Sequence, residues 1–450
     1  MTQTLQRTFA APNRFPLSYP QQVWCERAAA GAFGPRFIVV RGFRITGRLD
    51  LDALQQALND LVQRHELLRT VIEHQAEPPY QQVYPASPVP LRVRDLPVRP
   101  DQDRDLCAEE VLAEAEAGSL DVLELPLLRA VLTRFDDHDA VFTLTLHHVA
   151  CDGWSLQLIL RDLASCYAAR VSGGVPVLPP AVQYRDYALW QQQHLAGPEA
   201  ARSLDYWREA LAGGGIFALP TDRPVPARHD QPYTESTFTV DAAVITELGR
   251  YAKQIRCSMF MAVLATFNAF AHRLTGTTDP MIGATIHGRG QPEFADTVGP
   301  LMNMLPMRTQ LADCVSFRDL VLQTRLTCLD AFCHELPIQY IEQATPHIAD
   351  PLEDPNNSDF TFGFFQSPFA PGTFQLAERT EEIRNRNRKT PQNPGGASLS
   401  MAIRPSGELY GCLEYSPQEF DADTIDGWVR DYCRLIAAAV AEPDRDWRTL

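Results

Sequence analysis

Leu146-His147-His148-Val149-Ala150-Cys151-Asp152-Gly153-Trp154-Ser155 sets two adjacent histidines, an aspartate and a glycine in a short bridge between two regular patterns. Upstream, Val141-Phe142-Thr143-Leu144-Thr145-Leu146 alternates large apolar residues with threonine, the period of a strand with one face on a core. Downstream, Ser155 is placed to cap a helix whose apolar face reads Leu156, Ile159, Leu160, Leu163 and Tyr167, and which stops at Gly173-Gly174. The imidazoles therefore belong where a rigid strand gives way to a turn, and Gly153 allows close backbone approach by a substrate. That is the layout of an active site.

At 450 residues the chain exceeds what one hydrophobic core normally serves, so two lobes are expected. Gly173-Gly174-Val175-Pro176-Val177-Leu178-Pro179-Pro180 combines the two strongest chain punctuators and marks the boundary, giving an N-terminal lobe 1–178 that carries the histidine motif and a C-terminal lobe 179–450. In the first lobe Asp52 opens an amphipathic helix with Leu54, Ala57, Leu58, Leu61 and Val62 on one face. In the second, helices are expected near 242–254, 258–274 (capped by Ser258) and 316–333, alternating with strands at 280–286, 360–365, 399–403 and 408–415. Both halves read as mixed α/β.

A formal net charge of −16 argues against nucleic-acid binding, because phosphate backbones need clustered cations that this chain does not offer as a long stripe. Ten cysteines show neither Cys-x-x-Cys spacing nor a zinc-type Cys/His cluster, so no metal is expected and a reduced cytoplasmic setting is. The polar N-terminus, 1–14, lacks the apolar core of a secretory signal. The longest apolar run, 259–271, is too short to span a bilayer.

Beyond the double-histidine stretch, the chain contains Leu17-Ser18-Tyr19-Pro20-Gln21-Gln22-Val23-Trp24, Arg64-His65-Glu66-Leu67-Leu68-Arg69-Thr70 and Tyr184-Arg185-Asp186-Tyr187-Ala188-Leu189-Trp190-Gln191. Gly288-Arg289, Val298-Gly299-Pro300-Leu301-Met302-Asn303-Met304-Leu305-Pro306-Met307-Arg308 and His334-Glu335-Leu336-Pro337 follow. In this order the segments resemble the condensation domains of nonribosomal peptide synthetases, within the chloramphenicol acetyltransferase-like superfamily. The resemblance implies two such α/β lobes arranged as a V-shaped pseudo-dimer with a central tunnel. It departs from the usual pattern at Val23, where an arginine is usual, in lacking an Arg-rich lead-in near 354–357, and at Ser398-Leu399, where an Asp-Leu pair is common.

The resemblance also implies a chemistry. An acyl or aminoacyl group enters as a thioester on the 4'-phosphopantetheine of a carrier protein, and a small-molecule amine or hydroxyl accepts it as an amide or ester, with no permanently bound cofactor. A thioester is already activated, so no enzyme nucleophile is needed, and no Gly-x-Ser-x-Gly elbow is present. His148 becomes the key side chain, a histidine near its ordinary pKa that takes or positions the acceptor's proton, and the Gly153 N–H a donor to the thioester oxygen or pantetheine arm. The same resemblance makes Asp152 a structural ion-pair partner of Arg289 rather than a triad member, and His147 a packed scaffold residue. Trp154 and Ser155 are expected as core and cap or as tunnel lining, Asn303 as tunnel lining or a turn residue, and Tyr184, Asp186 and Trp190 as packing between lobes. Arg64, Glu66 and Arg69 read as a helix-end ion network.

Three rivals share parts of this pattern. A coenzyme A-dependent acyltransferase of the same superfamily shares the histidines but not the additional motifs. An epimerisation domain should pair an acidic residue with its Gly-His-Gly-Arg segment, whereas this chain has Ile286-His287-Gly288-Arg289-Gly290. A silent recruitment module for carriers or partner enzymes is free to lose His148 and Gly153, which are intact. Gly395-Gly396-Ala397-Ser398-Leu399 imitates a phosphopantetheine attachment site but precedes a strand pattern, not a carrier's helix. The basic run Arg384-Asn385-Arg386-Asn387-Arg388-Lys389 reads as a solvated loop rather than a carrier-docking patch.

Overall fold

The computed structural model describes residues 13–29, 37–99, 101–226, 232–367, 369, 372–383 and 396–450. The basic run 384–389 and Gly395 lie outside them. The chain divides into two compact α/β units, and the division is not a single cut near 178. The first unit takes the chain up to 194 and then recovers 287–302 and the described residues between 368 and 388, while the second holds the rest. The boundary moves past 178 because Tyr184 and Tyr187, on the helix Tyr184–Leu195, are buried in the first unit's core.

In the first unit five strands lie in the order 379–383, 38–46, 139–147, 128–136, 91–95. The strand Asp139–His147 is central and buried along its whole length, Thr143 and Thr145 included, so it has two covered faces rather than the one its alternation suggested. Phe142, Leu144 and Leu146 join the core built with the helices Leu51–Arg64 and Gly153–Val171. Val141, on the opposite face, packs with Ala108 and Val111 of the helix Arg104–Glu116. The threonine hydroxyls are small enough to lie beneath that second helix, and Thr143 Oγ1 reaches the Val131 carbonyl at 3.5 Å. The helix expected from Asp52 starts one position earlier, at Leu51, because Asp50 is its cap and accepts from the Ala53 N–H.

The second unit is built on strands in the order 303–308, 281–286, 357–365, 397–403, 409–415, 234–240, with the short strand 218–220 paired to 357–365. Ala397–Ile403 is a strand, as its pattern indicated, with Leu399 and Met401 in the core. The helices Ala242–Gln254, Met259–Thr275 and Phe317–Cys333 lie where expected, and Ser258 caps the second by accepting from the Met261 N–H. Among the described residues no single helix is long and apolar enough to cross a membrane.

The segment 287–302 is held in the first unit by two glycines. Gly288 has φ +63°, and a Cβ there would lie 1.7 Å from the Leu301 carbonyl oxygen. A Cβ on Gly299 would lie 1.9 Å from the Tyr184 ring, whose hydroxyl donates to the Pro300 carbonyl at 3.0 Å and shares a 2.6 Å hydrogen bond with Ser18 Oγ. Gly299→Ala forces that ring off its seat and should lower the unfolding free energy by roughly 2–3 kcal/mol. A urea midpoint equal to wild type would refute this packing.

Candidate active site

The strand Asp139–His147 ends at the two histidines, a single turn covers His148–Ala150, and the helix Gly153–Val171 begins at once. Asp152, not Ser155, is the N-cap: its Oδ1 accepts from the Ser155 N–H at 2.7 Å. The motif offered two capping residues three positions apart, and the helix starts from the earlier one. Asp152 is 2% exposed and takes more than the cap. Its Oδ2 accepts from Arg289 Nη1 at 3.0 Å and from the Leu301 and Met302 N–H groups at 3.0 and 2.9 Å, and its Oδ1 accepts from Arg289 Nη2 at 3.2 Å. Burial by itself would raise this carboxyl, but the Arg289 charge and these donors hold it below the ordinary aspartate value.

Arg289 is equally committed. Beyond Asp152 it donates to the His287 carbonyl (2.8 Å), Ser155 Oγ (2.8 Å) and the Thr297 carbonyl (3.1 Å). Ser155, wholly buried, donates its hydroxyl proton to the Gly299 carbonyl at 2.7 Å and accepts from the Gly299 N–H at 2.9 Å, which leaves it no surface for a substrate. Trp154 is half-buried: its Nε1 donates to the Ala295 carbonyl and its ring lies 4.8 Å from that of His287.

The adjacent histidines differ. His147 is fully buried, accepts the Val149 N–H on Nδ1 at 3.1 Å, and so carries its proton on Nε2, which finds no partner among the described residues. Burial pushes it down to about 4, with a contribution from His148, so near neutral pH it is an uncharged packing group against Trp24 and Phe37. His148 is half-buried. Burial pushes its imidazole below, not near, the usual histidine value, against backbone hydrogen bonding at His148 and Cys151 and the charge of Asp152. It is therefore uncharged near neutral pH and free to accept a proton. Gly153 is exposed as the first residue of its helix, where the N–H has no acceptor within the helix.

The remaining expected residues serve architecture. In the second unit, Asn303 donates to the Leu336 carbonyl at 2.8 Å and accepts from the Ile338 N–H at 3.2 Å, tying its strand to the start of the helix Ile338–Ala344. Trp190 packs on Tyr187 and Phe294 within the first unit, but Asp186 is exposed beside Arg185 and packs nothing. Arg64 does not pair within its own segment. With His65 it closes on Asp162, wholly buried in the helix Gly153–Val171, while Glu66 meets Arg69 and Arg185. Two residues escaped the sequence reading. Asp162 carried no local signal, and Phe37, whose ring stacks on His148, is placed there only by strand register. Strand pairing also brings Glu235, Cys412 and Glu414 together on the second unit's sheet, with Cys412 Sγ donating to Glu235.

Comparison with known proteins gives a consistent picture. The condensation-domain pattern matches residues 33–450. The nonribosomal peptide synthetase CymA of Salinispora arenicola is 33% identical over 98% of this chain, and a linear gramicidin synthase of Brevibacillus parabrevis is 31% identical over 97% of it. The chain spans 6% of the length of each of these relatives. Among solved structures, SgcC5 of Streptomyces globisporus, in complex with (R)-(-)-1-(2-naphthyl)-1,2-ethanediol and sucrose, is similar with a TM-score of 0.84 and 36% identity, covering 96% of this chain and 100% of that one.

Removing one partner of the buried pair should be costly. Arg289→Ala strands the Asp152 charge and should destabilise the protein by roughly 3–5 kcal/mol at pH 7. Because the wild-type carboxyl is depressed, its contribution is complete above the unfolded value of about 3.9 and disappears as the pH falls through the folded one. In the variant the carboxyl is raised by burial, so the gap between the two urea midpoints should narrow from pH 7 to pH 4. A gap independent of pH would contradict the ion-pair account.

Proposed function

The chain belongs to the condensation-domain family of nonribosomal peptide-type biosynthesis, and from that footing we propose that it transfers an acyl or aminoacyl group from a carrier-protein phosphopantetheine thioester to an amine or hydroxyl acceptor. The observation that carries the reading is the placement of His148, uncharged and half-buried at the end of a rigid central strand, beside the open N-terminal turn of the helix that begins at Gly153. His148 takes the proton from the acceptor N–H or O–H as that atom attacks the thioester carbonyl. The Gly153 N–H, at the positive end of its helix, is the donor for the oxygen that gains charge. Collapse of the adduct breaks the carbon–sulfur bond, and His148 returns the proton to the departing thiolate, leaving an amide or ester and a free carrier thiol. Asp152 is not part of this relay, since its oxygens are taken up by Arg289 and three backbone donors.

The aryl ethanediol bound in SgcC5 offers hydroxyls and no amine, which supports a hydroxyl acceptor, and hence an ester, as the first product to seek. Ten unbridged cysteines support a reducing, cytoplasmic place of action. Intact-mass spectrometry of acyl-loaded carriers, incubated with alcohol and amine acceptors, tests the reading. Wild type should discharge the carrier to a coupled product, and His148→Ala should slow this by roughly 10²–10⁴-fold. Consumption of acyl-coenzyme A while carriers stay loaded would replace the reading with the acyltransferase, and carrier binding without turnover of either donor would replace it with a recruitment module. The acid limb of kcat/KM should fall below the ordinary histidine value of 6.5, since burial lowers His148, and a limb above 6.5 would exclude His148 as the titrating base.

A further inference from the structure

Proton transfer at His148 requires the imidazole plane to face the attacking atom, and the torsion that sets that plane is broad and roughly two-fold, so a neighbour has to fix it. In a serine-type triad a carboxylate does this. Here the nearest carboxylate in sequence, Asp152, already accepts five hydrogen bonds, none from His148. The imidazole instead lies against an aromatic face: the rings of Phe37 and His148 are 4.6 Å apart between centroids and 14° from parallel. The backbone enforces the match. The strand Ile38–Thr46 runs antiparallel to Asp139–His147 with Ile38 opposite His147, so the next pair outward is Phe37 with His148, and the His148 N–H donates to the Phe37 carbonyl at 2.9 Å. The Phe37 ring also meets His147 edge-on at 6.1 Å and packs against the first unit's core, which holds it in turn.

The geometry points to Phe37 as the positioning residue that sets the plane of the His148 imidazole through an offset stack, a role whose kinetic consequence rests on the acyl transfer proposed above. The stack orders one ring face and leaves the ring edge, with its nitrogens, for hydrogen bonding. When His148 holds a proton in mid-reaction, the same aromatic face attracts the cation and keeps the ring from swinging away.

Two readouts on Phe37→Leu and Phe37→Tyr, each with a thermal melt to confirm folding, test this. The first is the ring-proton shift of His148 in histidine-labelled protein, assigned by its loss in His148→Ala. Wild type and Phe37→Tyr should share an upfield-shifted resonance that moves downfield in Phe37→Leu. The second is carrier discharge, where Phe37→Leu should lower kcat roughly tenfold while KM stays within about twofold, and Phe37→Tyr should restore kcat. A lost ring shift with unchanged kcat, or a rise in KM alone, overturns the positioning role, the latter making Phe37 a substrate contact. If wild type discharges no carrier, the transfer reading fails by itself, and the ring shift decides the stack: unchanged in Phe37→Leu, it overturns the stack as well.

Discussion

A carboxylate with 2% of its surface exposed stays charged only if its surroundings replace the water it has lost, and Asp152 is the place where this protein meets that demand. One oxygen caps the helix Gly153–Val171, the other gathers the backbone of 301–302, and Arg289 bridges both. Arg289 in turn reaches Ser155 and the carbonyls of His287 and Thr297. The pair therefore stitches a segment more than a hundred residues downstream onto the first turn of the helix that follows the histidines. Its worth lies less in net stability, since buried ion pairs seldom outperform apolar replacements, than in fixing where the strand end, the turn and the helix start lie relative to one another.

That commitment divides the labour within the motif. Adjacent residues at a strand end point in opposite directions, so His147 and His148 cannot share an environment. His147 turns into the protein, spends its Nδ1 on the Val149 N–H, and is held uncharged by burial. His148 keeps a half-buried ring whose orientation comes from Phe37 rather than from Asp152. The two glycines of 287–302 serve the same arrangement from the other side, because a side chain at Gly288 or Gly299 would overlap the Leu301 carbonyl or the Tyr184 ring.

The local readings that succeeded rest on short-range physics. The strand before His147 and the helix after Asp152 were legible because apolar periodicity and capping chemistry act over a few residues. The readings that shifted needed partners from elsewhere in the chain. Ser155 is a competent cap by type, yet its hydroxyl is claimed by Gly299 and Arg289. Thr143 and Thr145 look solvent-facing by alternation, yet the helix Arg104–Glu116 belongs to the covering on their side of the sheet. The boundary near 178 missed the return of 287–302, since Gly and Pro mark where a chain turns and not which core it rejoins.

The sequence by itself determined the mixed α/β elements, the strand–turn–helix that presents the histidines, and, through its ordered motifs, the family. Those are set by periodicity, capping and residue type, all local properties. Tertiary structure alone decided that Asp152 is spent on Arg289 and backbone donors, that burial lowers both histidines, and that Phe37 stacks on His148. These depend on strand register and on a chain return of more than a hundred residues, and desolvation exists only once the surrounding layers have closed over a side chain.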